Sequence, residues 1–303
     1  MNDKGSVTAL VTAFSRVYHS QHAADKIFDD WLAAKMFSEE ALGFFEKSVA
    51  DTLKFFDPEL AAACTTQAEA LETVMRIQNA PVTLSRSRYA EECLDGAVTE
   101  GVKQYVILGA GMDTFAFRRP EMLESLEVFE VDHPSTQAVK LQRIGELGWK
   151  LPPRLHFVPQ DFAAENLNTA LARSDYDPAK RSFFSWLGVI MYLERSTVFD
   201  MFRTFADISA PGSMVVFDYF DLDAFDPEKA GKRVRKMQEI VRIAGEPMLT
   251  GFDPAALKEE LAAAGLKLLE DLGPEEIEER YFKDRTDGYH AYAHVHLVRA
   301  EVE

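Results

Sequence analysis

The spacing of apolar residues changes character about one third of the way along this 303-residue chain. Before residue 100 the rhythm is helical. The stretch D-D-W-L-A-A-K-M-F carries Trp31, Leu32, Met36 and Phe37 at helical spacing, and Ser38-Glu39-Glu40 reads as a helix start. Pro58 interrupts the pattern ahead of an alanine-rich helix predicted over Glu59 to Gln78. Pro81-Val82-Thr83-Leu84 marks a boundary. The next helix, S-R-S-R-Y-A-E-E-C-L-D-G-A-V, has Tyr89, Cys93, Leu94 and Val98 as its apolar positions and ends at Gly101. Residues 1–80 thus form a helical region, read either as a layer on a sheet or as a lid over a small substrate.

Beyond residue 103 short apolar runs alternate with helical patterns. Strands are predicted at Tyr105–Leu108, Val128–Val131, Leu155–Val158, Ser182–Ile190, Met214–Tyr219 and Leu266–Leu269, with a closing alternation over Tyr292–Val298. Helices are predicted from Pro134 to about Leu147, Ala163 to Ala172, Glu194 to Ile208 and Asp253 to Ala264. Such regular alternation implies a mostly parallel sheet covered on both faces. Residues 81–303 are read as this α/β core. A polar insertion at about 221–250 contains the basic run K-A-G-K-R-V-R-K-M-Q, read as a solvated helix face.

The chemistry concentrates in Q-Y-V-I-L-G-A-G-M-D-T-F-A-F-R, followed shortly by V-F-E-V-D. An apolar strand ends in Gly109-Ala110-Gly111, Asp113 is placed to cap the helix opening at Thr114, and a second strand ends in Asp132. This is the front half of a nucleotide-binding βαβ unit. A dinucleotide site wants a third glycine where Thr114 stands, and Asp113 would repel a pyrophosphate. S-adenosylmethionine carries no phosphate. It needs glycines beside its amino-acid end and an acid for its ribose hydroxyls, and Asp132 suits that task. A dinucleotide-dependent oxidoreductase and a non-catalytic binding protein on the same fold are the alternatives.

The formal charge of −17 disfavours a broad nucleic-acid or anionic-membrane surface. No apolar run is long enough to span a bilayer and no secretory signal is visible, so a cytoplasmic protein is expected. Cys64 and Cys93 lack metal-ligand spacing and fit reduced, buried thiols. The seven histidines are scattered, His294 and His296 share a predicted strand face without a third ligand, and no metal site is expected.

The same residues resemble the S-adenosylmethionine-dependent methyltransferases related to leucine carboxyl methyltransferase, in their bacterial branch of small-molecule and polyketide O-methyltransferases. The similarity runs through T-A-F-S-R-V-Y-H-S, S-R-S-R-Y, L-G-A-G-M-D-T-F-A-F-R, V-F-E-V-D-H-P, Q-D-F, W-L-G-V-I-M-Y-L and P-G-S-M-V-V-F-D-Y. It implies a Rossmann-like class I fold: a mostly parallel seven-stranded sheet with an antiparallel last strand and a helical N-terminal lid. It also implies that Arg88 holds the cofactor carboxylate, Gly109 and Gly111 line its methionine end, Asp132 takes the ribose, and Asp161 and Phe162 flank adenine. Leu187 stands where the protein carboxyl methyltransferases carry a glutamate, and Phe162 replaces a leucine. The first departure argues against a protein C-terminus as acceptor.

Methyl transfer is an in-line displacement at an activated carbon, so a protein mainly supplies alignment and desolvation. A carboxylate acceptor needs no base at neutral pH, whereas a phenol, with a pKa of about 10, gains from one. His133, Tyr192, Asp218 and Tyr219 fall near the expected mouth, and Tyr192 is the candidate substrate-orienting hydroxyl. Arg118 either binds a substrate carboxylate or pairs with an acid of a neighbouring element. Arg86 and Arg88, two apart, point to different faces of their helix.

Overall fold

The computed structural model describes residues 7–162 and 165–303. Five helices come first: α1 (Val7–His22), α2 (Glu39–Phe56), α3 (Pro58–Ala63), α4 (Gln67–Ile77) and α5 (Asn79–Thr99). Local polar contacts set their ends. Ser38 accepts from Ala41 N, and Asp57 accepts from Glu59 N and Leu60 N. The expected single helix over 59–78 is two. Thr66 caps Glu69 N at 3.2 Å while Glu69 reaches back to Thr65 N at 2.7 Å, a reciprocal pair that starts a new helix. Pro81 likewise breaks nothing. It lies in the first turn of α5, where its missing N–H has no intrahelical partner to lose.

Seven strands follow: β1 (Gln104–Leu108), β2 (Glu127–Asp132), β3 (Leu155–Pro159), β4 (Ser182–Trp186), β5 (Met214–Phe220), β6 (Leu266–Leu272) and β7 (Val295–Val302). They form one sheet in the order β3-β2-β1-β4-β5-β7-β6, in which β7 runs antiparallel to both neighbours. Between them lie α6 (Phe115–Arg118), α7 (Pro134–Glu146), α8 (Leu167–Leu171), α9 (Arg195–Ile208), α10 (Lys232–Ile243), α11 (Pro254–Ala262) and α12 (Pro274–Ile277). The sequence-predicted helix from Ala163 begins at Leu167; Ala163 and Ala164 lie outside the described residues.

The pleat explains why the strands read as continuous apolar runs. Tyr105 and Ile107 enter a core beneath the N-terminal helices and α5, while Val106 and Leu108 enter a second core beneath α8, α9 and α11. The order in which successive strands join the sheet reverses at β1, with β2 parallel to it on one flank and β4 parallel on the other. The carboxyl ends of these strands therefore open onto a common crevice.

Several boundaries differ from expectation. β4 stops at Trp186, because Gly188 adopts φ +69° and turns the chain out of the sheet. The last strand starts at Val295, after His294 at φ +68°. His294 meets Asp221 and His296 meets Asp271, each at 2.9 Å through Nδ1, and His296 Nε2 also lies 4.0 Å from Asp221 Oδ2. The basic insertion is not wholly solvated, since Val234 and Met237 are buried and Arg233 lies 4.0 Å from the centre of the Tyr292 ring. Cys93 is buried but Cys64 only partly so, and both are free. Among the described residues no helix is long and apolar enough to cross a membrane. Nor is any group of three His, Cys, Asp or Glu side chains arranged to hold a metal.

An ion pair lies inside the sheet–helix layer. Glu130 of β2 and Lys140 of α7 are each 1% exposed and bonded to one another. Burial raises Glu130 to about 7 despite the ammonium beside it. Because that is above its unfolded value of about 4.3, this group's contribution to stability falls as pH climbs from about 4.3 to 7. Replacing Lys140 by Met should cost about 3–5 kcal/mol, since it strands a buried carboxylate. Urea unfolding at pH 8 measures this, and a loss below about 1 kcal/mol would mean the pair is not ionised.

Candidate active site

The crevice holds a cavity of about 410 Å³. Its floor comes from the strand ends: Leu108 to Asp113 after β1, Asp132 at the end of β2, and Ser185 and Leu187 to Val189 around the end of β4. Its walls come from helices and loops: Thr8, Ala9, Thr12 and Arg16 of α1, Arg86, Ser87, Ala90 and Glu91 of α5, Phe162, Tyr192, and Gly245 to Pro247 after α10.

The glycine turn works by close approach. Gly109 has φ +70°, and a Cβ there would meet Val189 Cγ2 at 2.9 Å. Gly111 donates its N–H to Asp132 Oδ2 at 2.5 Å, and His133 N donates to Oδ1 at 2.6 Å. Asp132 is thus pinned with its carboxylate at the cavity edge. Burial raises its pKa, and the two backbone bonds partly counter that. The helix after the turn is a single turn rather than a long element. Its N-cap is Thr114, whose hydroxyl bonds Asp30 Oδ1 at 2.5 Å, and Asp113 still accepts from Phe115 N at 2.7 Å.

Of the two neighbouring arginines, Arg86 lines the cavity and Arg88 does not. Arg88 lies outside the cavity, bonded to Glu92 at 2.8 Å and to Ile27 O at 3.2 Å, with its side chain 45% exposed. Arg86, two residues earlier and on the other helix face, lines the cavity. Its Nη1 pairs with Asp218 Oδ2 at 3.1 Å, and Asp218 Oδ1 also accepts from Gly188 N at 2.6 Å. A Cβ on Gly188 would lie 2.7 Å from Arg86 Cζ, so this glycine leaves room for the guanidinium. Motif position alone favoured Arg88; the signal that favours Arg86 is a carboxylate 132 residues away in β5.

Other sequence candidates separate. Phe162 lines the cavity, whereas Asp161 faces out, its Oδ2 4.0 Å from His133 Nε2. His133 caps α7 through Ser135 N. Tyr219 points away from the cavity and donates to Asp271 at 2.9 Å. Of the two readings left open for Arg118, the ion pair is observed, with Glu91 of α5 through two bonds, though Arg118 still borders the cavity. Tyr192 faces the cavity, and burial pushes its phenol up to about 12. Sequence reasoning missed Arg16 and Glu246. Arg16 is nearly buried, held by Asp30 at 2.8 Å and Met112 O at 2.8 Å. Glu246 accepts a bond from Thr8, which joins the loop after α10 to α1.

Sheet order, the antiparallel β7 and the crevice at the reversal define a class I S-adenosylmethionine-dependent methyltransferase fold. Residues 9–206 match the family described as leucine carboxyl methyltransferase, and the chain belongs to that family. It is 36% identical over 299 residues to "Putative S-adenosyl-L-methionine-dependent methyltransferase YktD" of Bacillus subtilis, covering 98% of each chain. A relative of Parafrankia with the same activity in its printed name is 30% identical over 70% of this chain and 62% of its own. A DUF574 family protein of Streptomyces avermitilis shares the fold at TM-score 0.51 and 14% identity, covering 85% of this chain and 99% of that one. The protein is therefore an S-adenosyl-L-methionine-dependent methyltransferase, and the dinucleotide alternative falls.

Replacing Gly188 by Ala tests the packing at the cavity floor. The left-handed backbone alone costs about 1–2 kcal/mol for an L side chain, and the new methyl must displace the guanidinium. The variant should lose at least that much stability in urea unfolding. An unchanged midpoint would show that the turn relaxes freely.

Proposed function

We propose that the protein transfers the methyl group of S-adenosyl-L-methionine to an oxygen, carboxylate or hydroxyl, of a small aromatic or polyketide-like metabolite. The observation that carries this reading is a single cavity lined by charged groups together with apolar and aromatic ones. Arg86, the Gly109–Gly111 turn and Asp132 line it. Phe28, Leu187, Val189 and Tyr192 add apolar and aromatic surface to the same cavity.

The cofactor fits the residues present. The guanidinium of Arg86, already fixed by Asp218, has N–H groups suited to a carboxylate. The turn at Gly109 keeps side chains away from the amino-acid portion. Asp132 at the strand end suits a pair of ribose hydroxyls, and Phe162 suits the face of adenine. When bound, the cofactor supplies an electrophilic methyl group on a positively charged sulfur. The chain's own residues orient and desolvate. Leu187 presents a hydrocarbon wall rather than a carboxylate beside the reacting region. Tyr192, kept protonated by burial, offers a hydrogen bond to an acceptor oxygen. The N-terminal helices, through α1, cover the cavity in the manner of a lid.

Two substitutions separate the two arginines. Arg86→Met should weaken S-adenosylhomocysteine binding by about 1.5–3 kcal/mol, the scale for a hydrogen bond to a charged group. Arg88→Met should leave it unchanged. Calorimetric titration decides between them, and equal losses would mean the carboxylate is bound elsewhere. Asp132→Ala should weaken binding by about 1–3 kcal/mol, and an unaltered dissociation constant there would show the ribose to be misplaced.

A further inference from the structure

A second cavity, of about 520 Å³, opens between the end of α1, α4 and the loop ahead of β7. It shares no lining residue with the first, although α1 borders both, with Arg16 on the first and Tyr18 on the second. A space of this size holds a small organic molecule.

Three hydrogen-bond donors on its wall have nothing to bond among the described residues. The Arg76 guanidinium makes no hydrogen bond, and its ion pair with Glu72 is loose, at 3.9 Å. The phenols of Tyr18 and Tyr289 have no partner either; these residues bond through backbone atoms, Tyr18 O with His22 Nδ1 and Tyr289 N with Asp287 Oδ1. Tyr289 is only 7% exposed, so bulk water does little to serve its hydroxyl. Burial raises the pKa of both phenols, which keeps them protonated and able to donate. Arg76 acts on both hydroxyls through its charge, and Tyr18 on that of Tyr289, so the three groups are neighbours. The backbone makes room for them. Gly288 adopts φ +76°, and a Cβ there would lie 2.8 Å from Arg76 Cδ.

Polar groups withdrawn from water and left unpaired are costly, so the cluster suits an acceptor that arrives from outside. The other charges decide which. Arg285 is spent, bonded to Asp287 through Nε and Nη2 and to Asp25 through Nη1 at 3.1 Å. Glu72 and Asp284 line the cavity but are exposed, where solvent screens them without cancelling them. They oppose a doubly charged phosphate more than a singly charged carboxylate. They would attract a cation, but a cation offers no lone pair to three donors. A planar carboxylate matches the guanidinium fork and keeps lone pairs for the phenols.

We propose that the second cavity binds a small monocarboxylate, whose oxygens accept from Arg76 and from the hydroxyls of Tyr18 and Tyr289. This site is separate from methyl transfer, since none of its residues has a part in the function proposed above.

The probe is 4-fluorobenzoate, followed by fluorine NMR as it is titrated into protein saturated with S-adenosylhomocysteine, so that the first cavity is already filled. The comparisons are 4-fluorophenyl phosphate and 4-fluorobenzylammonium. The benzoate should bind at least about fivefold tighter than either. Arg76→Gln should weaken it about tenfold or more, and Arg76→Lys, which keeps the charge without the fork, by less. Tyr289→Phe, which keeps the ring, should weaken it about threefold or more. Affinity for S-adenosylhomocysteine should stay unchanged in all three variants. Benzoate that fails to bind overturns the proposal, as does phosphate or ammonium that binds as tightly. Undiminished benzoate binding in Arg76→Gln or in Tyr289→Phe places the carboxylate elsewhere and overturns it too.

Discussion

One buried carboxylate organises the cavity floor. Asp218, with no exposed surface, takes a guanidinium from α5 and a backbone N–H from the turn after β4 while sitting on β5. A charge so placed is tolerated only with partners of good geometry, and both of its oxygens have one. The consequence is positional. Helix, strand and turn are clamped together, and the arginine is aimed before any ligand arrives. Gly188 completes the arrangement by leaving empty the space that a side chain would take from the guanidinium.

The same economy recurs around the rim. Asp30 is shared by Arg16 and the Thr114 hydroxyl, and Arg118 with Glu91 ties the short helix after the glycine turn to α5. Burial raises the pKa of Glu91, so the adjoining guanidinium is needed to hold its charge. Such pairs add little to net stability compared with apolar packing of equal volume. Their value is preorganisation: dipoles and charges fixed in a partly dry site need not reorganise when a positively charged cofactor enters.

How much of this could be read from the chain follows the range of the interactions. Strand and helix alternation, the glycine turn and the acid ending β2 are local or nearly so, and they stand where the pattern puts them. The apolar period of two also sorts β1 into its two cores. What escaped depends on distant partners. Arg86 and Arg88 differ by two positions in one helix, and only a carboxylate far along the chain makes one of them the cavity arginine. Thr66 and Glu69 divide what looks like one alanine-rich helix, because capping outweighs propensity there. Gly188 cuts β4 short inside an apolar run that gives no sign of ending. Glu246 lay in a polar insertion whose composition suggested only solvent.

The division of the sheet's side chains between two separate cores has a consequence for altering the protein. Leu53 belongs to one core and Leu261 to the other, and both are fully buried. Substitutions at such positions fall in separate packed clusters, so their free-energy penalties should add to within about 0.5 kcal/mol. The layer that includes α1, and with it part of the cavity wall, can thus be redesigned for other ligands while damage or repair beneath α9 and α11 is reckoned independently.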